Sequence, residues 1–163
     1  MGKKKYASVE AEIIEVRTKL ERVRDQLAAL TDRDAQAFAP LAKAYSLPKE
    51  TKEQQEEKER VMEAALYEAS IVPLEIMKTV FQAAELLEVL GEKGSRLALS
   101  DVGAGILFAR AALEGASLNI YINTKMMKNR ERAERLNQEA DCLIDRMGWL
   151  QEKVYRGVLA NIR

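Results

Sequence analysis

Two aspartates, Asp32 and Asp34, form the polar centre of LTDRDAQAF at residues 30–38, between two stretches with helical hydrophobic spacing. A carboxylate in such a place can cap a helix or move a proton. Thr31-x-x-Asp34 has the spacing of a capping box, with Asp34 reaching back from the third helical position. Both carboxylates would then sit in a first turn, where the helix dipole favours anions. A second polar pair, Asn119 and Asn123, is spaced four apart and so shares one helical face. Each buried amide needs several hydrogen bonds, so a matched pair implies a polar network or a ligand.

Composition narrows the chemistry. The 163 residues contain no histidine, which removes Ser-His-Asp and Cys-His catalysis and imidazole ligands for zinc. Proton transfer must therefore use Asp, Glu, Lys, Tyr or a bound water. The single cysteine, Cys142, can form no intramolecular disulfide, fits a reducing cytosol and reads as a small apolar filler. No metal or nucleotide motif is present, and no tightly bound cofactor is expected. Equal numbers of acidic and basic residues, 26 each, give no argument for nucleic acid or an anionic membrane as partner. The basic start MGKKKYASVE has no apolar stretch behind it, and the most apolar region, 97–113, is broken by Asp101 and Arg110. The expected location is the cytoplasm.

These residues must be positioned by helices, since no segment shows strand alternation. Ile13, Val16, Leu20, Val23, Leu27 and Leu30 recur at steps of three and four, a heptad-like stripe over residues 8–30. A second helix should open at Thr31 and carry Ala35, Phe38, Ala39, Leu41, Ala42 and Tyr45 to the core, with Pro40 kinking or dividing it. Thr51-x-x-Gln54 opens the next with another capping box, its first turns wholly polar. Pro73 should split or bend that helix, and Gly91 and Gly94 should end it. Ser100 or Asp101 starts an element rich in small residues, whose Ala and Gly positions between 103 and 116 admit a neighbouring helix or a flat ligand. The last helix, 129–162, repeats the heptad pattern through Leu136, Ala140, Leu143, Met147, Leu150 and Val154. The expectation is an all-α, up-and-down bundle of five to six antiparallel helices, one domain over 1–163, with long stripes suited to a dimer.

Several segments together resemble the cyclodeaminase/cyclohydrolase domain found in formiminotransferase-cyclodeaminases and stand-alone methenyltetrahydrofolate cyclohydrolases. They are GKKKY at 2–6, LTDRDAQAF at 30–38, AYSLPKET at 44–51, VPL at 72–74, SD at 100–101 and NIYIN at 119–123. None is diagnostic alone; the resemblance rests on their order and spacing over some 120 residues. One departure is that such domains carry a further helix with a glycine-rich stretch before GKKKY. This sequence begins at Met1-Gly2 without it, so the expectation is either that the sequence is truncated there or that part of the ligand site has been lost.

The resemblance implies a dimeric helical enzyme of folate one-carbon metabolism, with a tetrahydrofolate derivative as substrate rather than cofactor. Its reaction would be hydrolysis of 5,10-methenyltetrahydrofolate to 10-formyltetrahydrofolate, cyclodeamination of 5-formiminotetrahydrofolate, or both. Asp34 matches the catalytic carboxylate and becomes the general acid/base, leaving Asp32 a structural role. Lys3, Lys4 and Lys5, with Lys49 as a further candidate behind them, become candidates for the glutamate or polyglutamate tail, against the plain reading of the terminal run as solvated. Tyr6 joins them by motif. Asp101 is a helix cap or a ligand contact, and Asn119 and Asn123 hold the pterin edge or a subunit interface. The alternative function is a helical scaffold or regulatory dimer that keeps the fold without catalysis.

Overall fold

The computed structural model describes residues 8–163, so Lys3, Lys4, Lys5 and Tyr6 lie outside the described residues. Among those described, four long α-helices account for the architecture: α1 (Glu10–Tyr45), α2 (Lys52–Lys93), α3 (Leu99–Met126) and α4 (Arg130–Ile162). One 3-10 turn, Arg96–Ala98, leads into α3, and no strand occurs among the described residues. The expected five to six helices reduce to four because two predicted breaks are absent.

The first is at Thr31. Its hydroxyl donates to the carbonyl of Leu27 at 3.1 Å, one turn back, in place of capping a new helix. The heptad stripe simply continues through it. Leu30 and Leu41 are buried and Asp34 and Ala37 half-buried, in the same three-four rhythm as Val16 and Val23. The expected core-facing set is correspondingly corrected. Leu41 and Ala44 turn inward, whereas Ala35, Phe38, Ala39, Ala42 and Tyr45 are exposed. Pro40 sits inside α1 without ending it.

The second is at Pro73, which is buried inside an unbroken α2. The capping box at Thr51 and Gln54 is present, with both reciprocal bonds formed. Gly94 caps the other end, its N–H donating to Leu90, while Gly91 lies within the helix. Helix α3 starts at Leu99, so Asp101 falls in its first turn and is not the cap. Asn129 caps α4 by accepting from the Arg132 N–H.

Cross-helix contacts set the directions. Glu12 pairs with Lys93 and Arg33 with Glu75, so α1 and α2 run antiparallel. Asn123 meets Ala69, and a side chain at Gly105 would meet Leu87, so α3 is antiparallel to α2 and parallel to α1. Thr124 bonds Asn137 and Arg110 bonds Gln151, making α4 antiparallel to α3. The result is up-down-up-down. The core packs Leu66, Met77, Ile106, Leu113, Ile120, Ala140 and Met147 among α2, α3 and α4. Gly103 permits the α3–α4 approach, because a Cβ there would stand 3.1 Å from Val158 Cγ1. Helix α1 leans on α2 and packs little against α3, which leaves a groove between them.

Candidate functional site

That groove has a volume of about 520 Å³ and is floored by Ala69 of α2. One wall is Asp34, Ala35, Phe38, Leu41 and Tyr45 of α1; the other is Asn119, Ile122, Asn123 and Met126 of α3. The spacing explains both walls. Positions 34, 38, 41 and 45 lie on one face of α1, and 119, 122, 123 and 126 on one face of α3. The volume is that of an ordinary small-molecule site, and its make-up, apolar with a few convergent polar groups, is of the same kind.

Asp34 is the unusual member. It occupies a stripe position that elsewhere in α1 holds Val16, Val23 or Leu30, and it is half-buried. It makes no hydrogen bond or ion pair with any described residue. A carboxylate on the apolar stripe of a helix, without a partner inside the protein, adds nothing to the packing there and is retained where something else uses it. This signal was readable in the sequence: Ile13, Val16, Leu20, Val23, Leu27, Leu30, Asp34, Ala37, Leu41, Ala44 is one unbroken rhythm. The capping-box spacing at Thr31 hid it. Asp32 is exposed on the outer face of α1.

The neighbouring helices fix the groove. Arg33 reaches across to Glu75 at 2.5 Å, tying α1 to α2 beside Asp34. Lys58 donates to the carbonyls of Tyr45 and Leu47, both at 2.7 Å, and so holds the C-terminal end of α1. Asn123 donates Nδ2–H to the Ala69 carbonyl at 3.1 Å. Asn119 is exposed and has no partner among the described residues. Sequence reasoning missed Phe38 and Tyr45 as lining residues, because their spacing read as core.

Other candidates fall elsewhere. Asp101 lies about 27 Å along α3 from Asn119, at 1.5 Å per residue, and does not reach the groove. Lys49 is exposed in the α1–α2 connection. Cys142 is exposed on α4, which corrects the expectation of an apolar filler. A slightly larger cavity, about 580 Å³, opens at the opposite end of the bundle around Gly91, Gly94 and Gly157. Its lysines are already paired, Lys93 with Glu12 and Lys153 with Glu88 and Glu92, and it holds none of the predicted site residues. Among the described residues no group of three His, Cys, Asp or Glu side chains could hold a metal ion, and no helix is long and apolar enough to cross a membrane.

Three comparisons bear on this arrangement. Over 99% of its length the chain is 35% identical to the methenyltetrahydrofolate cyclohydrolase of Methylorubrum extorquens, covering 78% of that protein. It is also 35% identical to the rat formimidoyltransferase-cyclodeaminase over 122 residues, and there spans only 23% of the relative's length. In fold it is similar to the crystal structure of formiminotetrahydrofolate cyclodeaminase from Thermotoga maritima, with a TM-score of 0.78 and 24% identity over 99% of this chain and 74% of that one. The family model for formiminotransferase-cyclodeaminase matches residues 1–142, and the chain belongs to that family.

Proposed function

We propose that the chain interconverts folate-bound one-carbon units, hydrolysing 5,10-methenyltetrahydrofolate to 10-formyltetrahydrofolate, with cyclodeamination of 5-formiminotetrahydrofolate as the related reaction of the same site. The observation that carries this reading is Asp34, an unpartnered, half-buried carboxylate facing a groove with two aromatic rings on one wall and two amides on the other. The hydrolase direction is put first because the cyclohydrolase relative matches along nearly the whole chain.

The methenyl bridge is an amidinium-like cation, electrophilic at carbon. Asp34 stabilises that charge and takes a proton from water as the oxygen bonds to the bridge carbon. The tetrahedral adduct then breaks its carbon–N5 bond as Asp34 passes its proton to N5; the adduct's hydroxyl proton is released to solvent, and the formyl group stays on N10. In the other reaction N10 attacks the formimino carbon, and the same carboxylate relays the N10 proton as ammonia leaves. Phe38 and Tyr45 offer flat apolar surface to the ring system, and Asn119 and Asn123 offer hydrogen bonds to its edge. Lys4 and Lys5 belong to the proposal as ligands of the glutamate tail.

The proposal includes a homodimer. Ala104, Phe108, Ala111, Gly115, Leu118 and Ile122 are all exposed and follow one heptad rhythm along α3, and Ile122 also lines the groove. It also takes residues 1–163 as one helical unit, acting in the cytoplasm, where a free exposed thiol such as Cys142 persists. The test is direct. With the protein present, the absorbance of methenyltetrahydrofolate should decay faster than spontaneously. No acceleration, together with no folate binding in a titration, would leave a scaffold without catalysis.

A further inference from the structure

Pro73 and Asn123 come from different segments of the sequence and meet at one atom, the carbonyl oxygen of Ala69. Within α2 the Ala69 carbonyl should accept from the N–H of residue 73, but proline has none. The carbonyl belongs to a buried residue, where a missing partner is costly. Asn123 supplies it, donating Nδ2–H at 3.1 Å from α3.

That bond decides the orientation of the amide. A carbonyl can only accept, so the nitrogen of Asn123 must face Ala69, and the amide cannot flip without stranding the oxygen against another oxygen. Asn123 Oδ1 accepts no hydrogen bond from any described residue. It therefore remains available as an acceptor in the groove that Asp34 and Asn119 also line.

We propose that Pro73 is a positioning residue for substrate binding: by freeing the Ala69 carbonyl it locks Asn123 with Oδ1 presented to the groove, which selects ligands carrying N–H donors on the ring edge. A tetrahydropterin has such an edge in its exocyclic amine and ring N–H groups. The ligand half of this inference rests on the folate reading above; the Pro73–Asn123 link does not. Orientation rather than bulk is what the proline supplies, since its ring is packed in the core and does not line the groove.

The experiment uses the intact protein and three variants, Pro73→Ala, Asn123→Leu and the double substitution. Pro73→Ala restores an N–H that competes for the Ala69 carbonyl. The side-chain amide resonances of Asn123, assigned by their loss in Asn123→Leu, should then shift and lose exchange protection in Pro73→Ala without any ligand. In methenyltetrahydrofolate hydrolysis, KM should rise about threefold to tenfold in Pro73→Ala while kcat holds. The double variant should be no worse than Asn123→Leu alone, because the proline acts only through the amide. Unmoved Asn123 resonances, or additive losses in the double variant, overturn the proposal. A wild-type protein without turnover overturns the folate reading instead, and the amide resonances alone then decide the link.

Discussion

Tyr45, at the end of α1, donates its hydroxyl to the sulfur of Met126, at the end of α3, across 3.3 Å. The contact joins two helices that otherwise stand apart, and it closes one end of the groove. Asp34 lies eleven residues earlier on α1, about 16 Å along the axis, so the carboxylate and the bridge mark the two ends of one trough.

Binding and chemistry should separate along that trough. Phe38 lies between its ends and is 57% exposed, so it contributes little to the core. Phe38→Ala should alter unfolding free energy by no more than about 0.5 kcal/mol. KM for the folate substrate should rise roughly tenfold with kcat little changed, the pattern of a lost stacking surface. A loss confined to kcat would place Phe38 near the reacting carbon and not along the ring.

At the other extreme is Asp34→Asn. The substitution keeps shape and removes the charge and the proton-accepting oxygen. Turnover should fall by about 10²–10⁴-fold, the usual contribution of a positioned general base. Because Asp34 has no partner among the described residues, circular dichroism and thermal melting should scarcely change. Full activity in this variant would take Asp34 out of the mechanism.

The contrast between Asp34 and Thr31 shows how much of this site the sequence carried. Heptad periodicity predicted the inward face of α4, and that of α1 as far as Leu30, because helix packing depends on spacing that a sequence displays directly. Helix ends were less legible. Thr51 caps α2, but Thr31, with the same i to i+3 pattern, only bonds back to Leu27. Local chemistry is alike at the two sites; what differs is whether the apolar stripe continues on the far side, and tertiary packing decides that. Phe38 and Tyr45 were misplaced for the same reason. Once α1 is taken as unbroken, its inward face passes through Leu41 and Ala44 and turns both aromatics towards the groove. Asn119 and Asn123 were placed on one face by spacing alone, but only the structure gives Asn123 its carbonyl.

Tyr121 gives a pH signature away from the groove. Its phenol is pushed up from 10.0 to about 12, first by burial, then by its hydrogen bond to Asp141 and that group's charge, with Asp145 adding to the effect and Ser117 opposing it. The folded state thus favours the neutral phenol. Its contribution to stability is complete below pH 10 and is lost as pH rises towards about 12. Denaturation midpoints of the wild type should fall across that window more steeply than those of Tyr121→Phe. Ultraviolet titration should show a late tyrosinate component that the substitution removes.

Thr51 offers a stability test independent of catalysis. Its hydroxyl accepts from the Gln54 N–H at 3.2 Å, and the Gln54 side chain returns a bond to the Thr51 N–H. Thr51→Ala should cost about 1 kcal/mol, the usual value of an N-cap, measured by denaturant unfolding. Thr51 lines no part of the groove, so KM and kcat should be unaffected.

The exposed face of α3 should decide the state of assembly. Phe108 is 75% exposed and Leu118 67%, with the small residues Ala111 and Gly115 between them. Nothing lies within 4 Å of a Cβ built on Gly115, so a second helix can approach closely there. Large side chains flanking small ones, at three-four spacing, let the same face of another copy interlock with it. Phe108→Glu sets like charges against each other across a two-fold contact while leaving the protomer's own core untouched. Light scattering should give a dimer for the wild type and a monomer for this variant, with helicity retained. Because Ile122 belongs to both the stripe and the groove, the monomer should also bind folate more weakly. A wild type that is monomeric at all accessible concentrations would remove the second copy from the proposal and leave the face to another partner.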